Sequence, residues 1–396
     1  MEDAKEIDMV GRMTSYAVLL LVCFHAVACQ FSSGLSTNKI KNSSPSTSSV
    51  SIINDGDWKL RLIQELPKTK PLDHIRCGPE GHCWIWDSES IWLADSSGHW
   101  QQVYTLPSAQ RQQLDAIQSV SMISPQTGWF ITYRGLYKSL DGGLNWRPTS
   151  RPPLSNSDGG FTSVFFRDEK HGWLAGGEFR PKLADEPIVN NAISGDRKEI
   201  SVASIWQTTD GGVTWQAKEL KRLIGRFTYM EFWNNKGVAF GDAGCVFTND
   251  GGEKWKDMGR FIPRQEETGE RPALTGAHFV DHQSGWIFTS WFENLSTHDG
   301  GKTWAVLHSK VNSQSGGTAE EIVPSNVVFA DNRRGLMIAG PAGTGKLLKT
   351  TDSGVTWFRI PAADEHFYDV NLVGTEKGFL LGDKGIYSIF VKQANR

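Results

Sequence analysis

The string TTDGGVTW at residues 208 to 215 decides the reading of this chain, because near-copies recur as SLDGGLNW at 139 to 146, TNDGGEKW at 248 to 255, THDGGKTW at 297 to 304 and TTDSGVTW at 350 to 357. Each fits Ser/Thr-x-Asp-x-Gly-x-x-Trp. That order suits a tight turn between two strands: the Asp side chain accepts backbone N–H groups, Gly takes a positive φ, and Trp anchors the start of the next strand. Turn formation alone accounts for the spacing. Asp141, Asp210, Asp250, Asp299 and Asp352, with Trp146, Trp215, Trp255, Trp304 and Trp357, are therefore read as structural Asp-box residues rather than catalytic ones. A string that returns at intervals of 40 to 69 residues means a repeat architecture.

Outward from the boxes, the chain parses into units of three apolar strands, the Asp turn and a fourth strand opened by Trp. At 226 to 258, RFTYMEF alternates, WNNKG turns, VAFGD and CVFT are the second and third strands, and WKDM follows the box. The same frame fits 117 to 150, 161 to 218, 275 to 308 and 325 to 360, with glycine plus an apolar residue opening each second strand, as in Gly172-Trp173. A degenerate unit spans 74 to 104, where Asp95 and Trp100 keep their spacing but Leu93 and Ser97 replace Ser/Thr and Gly. The last unit, FYDVNLV, GFLLGD and IYSIFVK, stops after three strands. Its missing strand is expected from the other terminus, where Asp55-Gly56-Asp57-Trp58 leads an alternating stretch: 57 to 63 should pair with 386 to 392 and remove an open edge. The expected fold is all-β, a seven-bladed propeller of Asp-box (BNR-like) repeats over 52 to 396, its ring closed by the N-terminal strand.

The N-terminus reads as an export signal over 1 to 28, with Met9 a candidate true start because MEDAKEID is acidic whereas Arg12 supplies the expected positive charge. The apolar run YAVLLLVCFHAVA is too short for a permanent membrane helix. It ends at Ala28-Cys29, read as a bacterial lipoprotein box with Cys29 acylated; ordinary signal cleavage is the alternative. Residues 29 to 51, rich in Ser, Thr and Asn, form a disordered tether, so the expected location is the periplasmic side of a bacterial membrane. A formal charge of -3 and a pI near 6.4 argue against nucleic acid as a partner. Cys77 and Cys83 flank GPEGH, where a local disulfide and two free thiols remain alternatives.

The repeated frame, an apolar strand, D-x-x-x-G-W, then T-x-D-G-G-x-T-W, resembles the photosystem II stability and assembly factor family from about 75 to 392, with VFFRDEKHGWLAGG and IWQTTDGGVTW matching best. The resemblance implies a non-enzymatic, exported seven-bladed propeller without cofactor or metal that assists assembly of a membrane complex. It supplies no partner-binding motif that maps onto positions here. The topology of a four-stranded meander sends the long segments 105–118, 178–203, 259–273 and 309–324 to the face opposite the Asp boxes, and a protein partner is expected there, particularly on 178–203 and 259–273.

Several sharper readings fall away. Gly340-Pro-Ala-Gly-Thr-Gly345-Lys346 looks like a phosphate loop, but Leu347 stands where a Ser/Thr must hold magnesium. Phe358-Arg359-Ile360-Pro361 matches a sialidase string but follows the last box instead of preceding the first. His278 and His282 lie on a strand and its turn, not on one helical face. A glycoside hydrolase of the sialidase-like class is the alternative function. It would need arginines, a Tyr and carboxylates on the inner strands, and the inner strands SVSMIS, SVFF, FTYMEF, AHFV, NVVFA and FYDVNLV contain no Arg.

Overall fold

The computed structural model describes residues 52–66, 72–78, 81–94, 99–112, 115–152, 160–181, 199–220, 223–259, 261–262, 272–312, 323–340, 345–361 and 365–392. Cys29, the export segment and the tether lie outside these residues, as do most of 178–203 and 259–273. The described strands form seven sheets, each built on four antiparallel strands, and so seven blades. Blade 1 holds His74–Cys77, Cys83–Trp86, Ser90–Ala94 and Trp100–Thr105, and the innermost strands of blades 2 to 7 are Ile117–Met122, Gly160–Phe166, Phe227–Trp233, Leu274–Phe279, Pro324–Phe329 and Phe367–Val373.

A sheet buried on both faces needs apolar side chains on both, and that requirement organises the core. There is one buried cluster at every junction between neighbouring blades. Trp129, Ile131 and Phe166 join blades 2 and 3, Val238, Phe247 and Phe279 join blades 4 and 5, and Ile75, Cys83, Leu381 and Ile386 join blades 7 and 1. No blade has a core of its own.

The recurrent glycine opening each second strand has a packing reason. It lies opposite the last or next-to-last residue of the innermost strand in the pairs Met122↔Gly128, Phe166↔Gly172, Phe232↔Gly237, Phe279↔Gly285, Phe329↔Gly335 and Leu372↔Gly378. A Cβ on Gly172 would meet the Phe166 ring at 2.5 Å, and one on Gly285 would meet Phe279 at 2.4 Å. The large side chain thus lies flat over its partner's backbone. In blade 1 the same register position holds Cys77↔Cys83, joined by a disulfide.

The N-terminal strand Trp58–Glu65 pairs with the last strand, Gly385–Val391, from Trp58↔Val391 to Glu65↔Gly385. Compared with the 57 to 63 expected, it starts one residue later and ends two residues later, and Ile52–Asp55 adds a fifth strand in a hairpin. Lys349 of blade 6 grips this hairpin through Asp55 at 2.6 Å. A further fifth strand, Lys310–Asn312, runs parallel to Thr356–Arg359 in blade 6, inside what the sequence presents as a long loop.

The box tryptophans differ in burial. Trp357 is fully buried at 0% exposure, whereas Trp146, Trp215, Trp255 and Trp304 are only half-buried. Trp357→Ala should cost roughly 3 to 5 kcal/mol through lost area and a cavity, and Trp215→Ala clearly less. Denaturant unfolding of the two variants side by side checks this order.

Candidate functional site

The Asp boxes are built alike. In the box at 208 to 215, the Thr208 hydroxyl donates to Asp210 Oδ1 at 2.8 Å and accepts the Gly212 N–H at 2.9 Å, while Asp210 Oδ1 accepts the Thr214 N–H at 2.8 Å. Equivalent bonds recur around Asp141, Asp250, Asp299 and Asp352. Both box glycines have positive φ, and in the last box Ser353 takes the first position at 66°. The N–H at that position bonds the turn between the first two strands of the same blade: Gly142 to Gln126 O, Gly211 to Lys170 O, Gly251 to Asn235 O, Gly300 to Gln283 O and Ser353 to Arg333 O. The box therefore clamps one turn of its blade to the other. Hydrogen bonds from Thr214 and Thr303 hold Asp210 and Asp299 down to a pKa of about 2, so each carboxylate is committed to its own turn.

A different set of polar side chains surrounds the axis. Each innermost strand has one edge without a neighbouring strand, and at five of the seven junctions the preceding blade's side chains reach across to it. Ser119 and Ser121 of blade 2 accept the N–H groups of Val164 and Phe166 in blade 3, and Asp369 and Asn371 of blade 7 accept those of Ile75 and Cys77 in blade 1. Ser163 donates to Met230 O, Asn326 to Val370 O, and the His278 ring bonds Phe329 O at 3.2 Å. His278 is thus a core histidine, its pKa lowered by burial to about 4, and it makes no pair with His282.

Blades 1 and 4 break this ladder. Their equivalent positions carry His74 and Arg76, and Tyr229 and Glu231. Arg76 forms an ion pair with Asp369 at 3.2 Å and lies over the Tyr229 ring, 5.5 Å from its centre. Tyr229 donates its hydroxyl to Glu231, and Asn326 donates to Asp369. Arg76 is thus an arginine on an innermost strand, that of blade 1, which was not among the six inner strands quoted from the sequence. Its strand, HIRC, reads in sequence as half of a cysteine hairpin; aligning Cys77 with Met122 and Phe166 would have revealed its place.

Burial raises the Glu231 pKa to about 7, with the Asp369 charge adding to it and the Arg76 charge opposing it. Glu231 can therefore carry a proton near neutrality, beside the tyrosine ring that Arg76 covers. Phe358 and Arg359 lie on an outer strand, and Lys346–Thr350 is a strand where a phosphate loop needs a helix. The described ends of 178–203 are strand rather than loop, since Gly172–Pro181 and Glu199–Thr208 stay paired to Pro181↔Glu199.

Because folded Glu231 binds its proton more tightly than the unfolded chain does, its contribution to stability is present in full below pH 4.5 and lost as pH rises through about 7. Glu231→Gln cannot ionise. The Tm of this variant relative to the parent should climb between about pH 5 and pH 8, read by a thermal melt series; a flat difference would mean that burial does not govern this carboxylate.

No family model matches the chain. It is 24% identical over 343 residues to the photosystem II assembly protein Ycf48 of Thermosynechococcus vestitus, covering 78% of this chain and 92% of that one. It is 25% identical over 288 residues to the photosystem II assembly lipoprotein Ycf48 of Trichormus variabilis, covering 66% and 79%. The solved structure of YCF48 bound to D1 peptide superposes with a TM-score of 0.58 at 18% identity, covering 87% of this chain and 100% of that one, which shows the shared fold. The resemblance of this chain to the photosystem II stability and assembly factor family thus holds in sequence over most of its length as well as in fold.

Proposed function

We propose that the protein is an exported propeller, lipid-anchored through Cys29 on the periplasmic side of a membrane, that binds protein segments during assembly of a membrane or envelope complex. The observation that carries this reading is the similarity over 78% of the chain to an assembly protein. The relative named as a lipoprotein supports the anchor, and the fold neighbour solved with a peptide supports a protein partner.

The partner face in this reading is the one opposite the Asp boxes. Blade 3 offers an arm there: its middle strands continue past the innermost strand from Glu178↔Val202 to Pro181↔Glu199. Trp206 Nε1 donates to Glu178 at 3.0 Å, and the outer side of the arm is braced by Ala203 N–H to Leu223 O and Gly225 N–H to Ser201 O. A braced arm offers its paired strands to a partner without an ordering cost for 178–181 and 199–203.

The glycoside-hydrolase alternative finds the carboxylates Glu231 and Asp369 beside Tyr229. Its weakness is that among the described residues a single arginine reaches them, whereas that chemistry needs three, and that Arg76 already engages Asp369 and covers the tyrosine ring. Hydrolysis of a glycoside panel that vanishes in Glu231→Gln would favour it.

Replacing 182–198 with a short Gly/Ser linker should leave the Tm nearly unchanged, because the paired strands stay intact, while capture of host membrane proteins falls sharply. Capture that survives this replacement but is lost on Lys170→Glu would put the partner on the other face. Mass spectrometry should find diacylglycerol on Cys29, with Cys29→Ser released in soluble form; an unmodified N-terminal Cys29 would indicate ordinary cleavage.

A further inference from the structure

We propose that Cys77–Cys83 is a site of thiol–disulfide exchange that locks and unlocks blade 1, with a dithiol as its reductant. The first support is register. Six blades hold the junction of their first two strands with a large side chain laid over a glycine, and blade 1 alone places a disulfide at that position. An aromatic ring on a glycine cannot be switched off. A disulfide can.

The second support is the sequence of blade 1 itself. The box positions in blades 2 to 6 carry Ser or Thr, Asp and Gly, and blade 1 has Leu93 and Ser97 where the hydroxyl and glycine belong. The innermost strands of blades 2 to 7 also contain a bulge one or two residues from their start, as between Phe161 and Ser163, whereas His74–Cys77 is short and regular. Blade 7, which carries no box either, is closed by the N-terminal strand, so blade 1 is the one that joins a degenerate box sequence to a covalent link.

The third is position. Cys83 is buried in the apolar layer that seals blade 1 against blade 7, and Cys77, half-buried, has its N–H on Asn371 of blade 7. The adjacent residue, Arg76, carries the ion pair to Asp369. Opening the bond uncouples the ends of the two strands that make these contacts with blade 7.

The exchange balances with a dithiol alone. One thiolate of the reductant attacks the sulfur of Cys77, the more exposed partner, forming a mixed disulfide and expelling Cys83 as a thiolate that takes up a proton. The second thiol of the reductant then attacks the mixed disulfide, leaving as a disulfide itself and releasing Cys77 as a thiol. Two electrons and two protons pass to the protein, and the reductant is oxidised by the same two electrons.

The test uses the full chain with dithiothreitol as the probe and amide hydrogen exchange read by mass spectrometry. Reduction should raise exchange in 72–78 and 83–94 by about tenfold or more while 285–297 of blade 5 stays unchanged, and reoxidation should restore it. Cys77→Ser with Cys83→Ser should show the opened pattern without reductant. Cys77→Phe with Cys83→Gly installs the pair used by other blades and should keep blade 1 protected whether or not dithiothreitol is present. A bond that the folded protein does not surrender to dithiothreitol, a serine variant protected like the parent, or exchange rising equally in all blades would overturn the proposal. If the Phe/Gly variant does not fold, the serine variant and the reduced parent still decide it.

Discussion

The innermost strand of each blade has one edge with no strand beside it, and the rest of the structure depends on how that edge is satisfied. Unpaired backbone N–H and C=O groups at a sheet edge are costly when buried and invite pairing with other chains. Here the side chain of the preceding blade meets them: Ser121 takes the Phe166 N–H, Asn371 the Cys77 N–H, and His278 bonds Phe329 O, all at one register position. Polar residues on an inner strand are thus largely accounted for by neighbour capping. Polarity alone does not mark a site there. What marks one is departure from the ladder, and on that criterion Arg76, Tyr229 and Glu231 stand out.

A blade that shares its apolar layers with both neighbours cannot be stable alone. Packing supplies attraction between blades, as where Trp286 stacks on Phe329 with centroids 3.8 Å apart. The Asp boxes set geometry within a blade, since each ties the turn after the third strand to the turn after the first. The two devices act in perpendicular directions. Loss of a box loosens one blade, whereas loss of a stacked ring opens a junction between two.

Much of this was legible in the sequence, because a repeat is its own alignment. The five boxes, the Gly-Trp pairs and the spare strand at Trp58 each recur or are missed at a fixed offset, and the sheets follow that frame. The axial cluster was not legible. Arg76, Tyr229 and Asp369 are far apart in the chain and meet only when the ring brings blades 1, 4 and 7 to one axis. Burial of individual tryptophans was hidden for a related reason: identical boxes leave Trp357 buried and Trp215 half-exposed, because exposure is decided by neighbouring blades and outer strands. The arm at 178–181 and 199–203 was mistaken for loop, since a strand that outruns its sheet has no partner pattern to announce it.

The strand Trp58–Glu65 is the first of the ring to leave a ribosome and the last to find its place. Ser388 bonds the Arg61 carbonyl across 327 residues of chain, so no part of the closing sheet can be completed until nearly all of the polypeptide has been made and delivered. Contacts at such separation form slowly. Until the N-terminal strand pairs, the last blade has an unfilled edge beside Gly385–Val391. Ring closure thus couples the two ends of the chain, and damage at either end opens the same sheet.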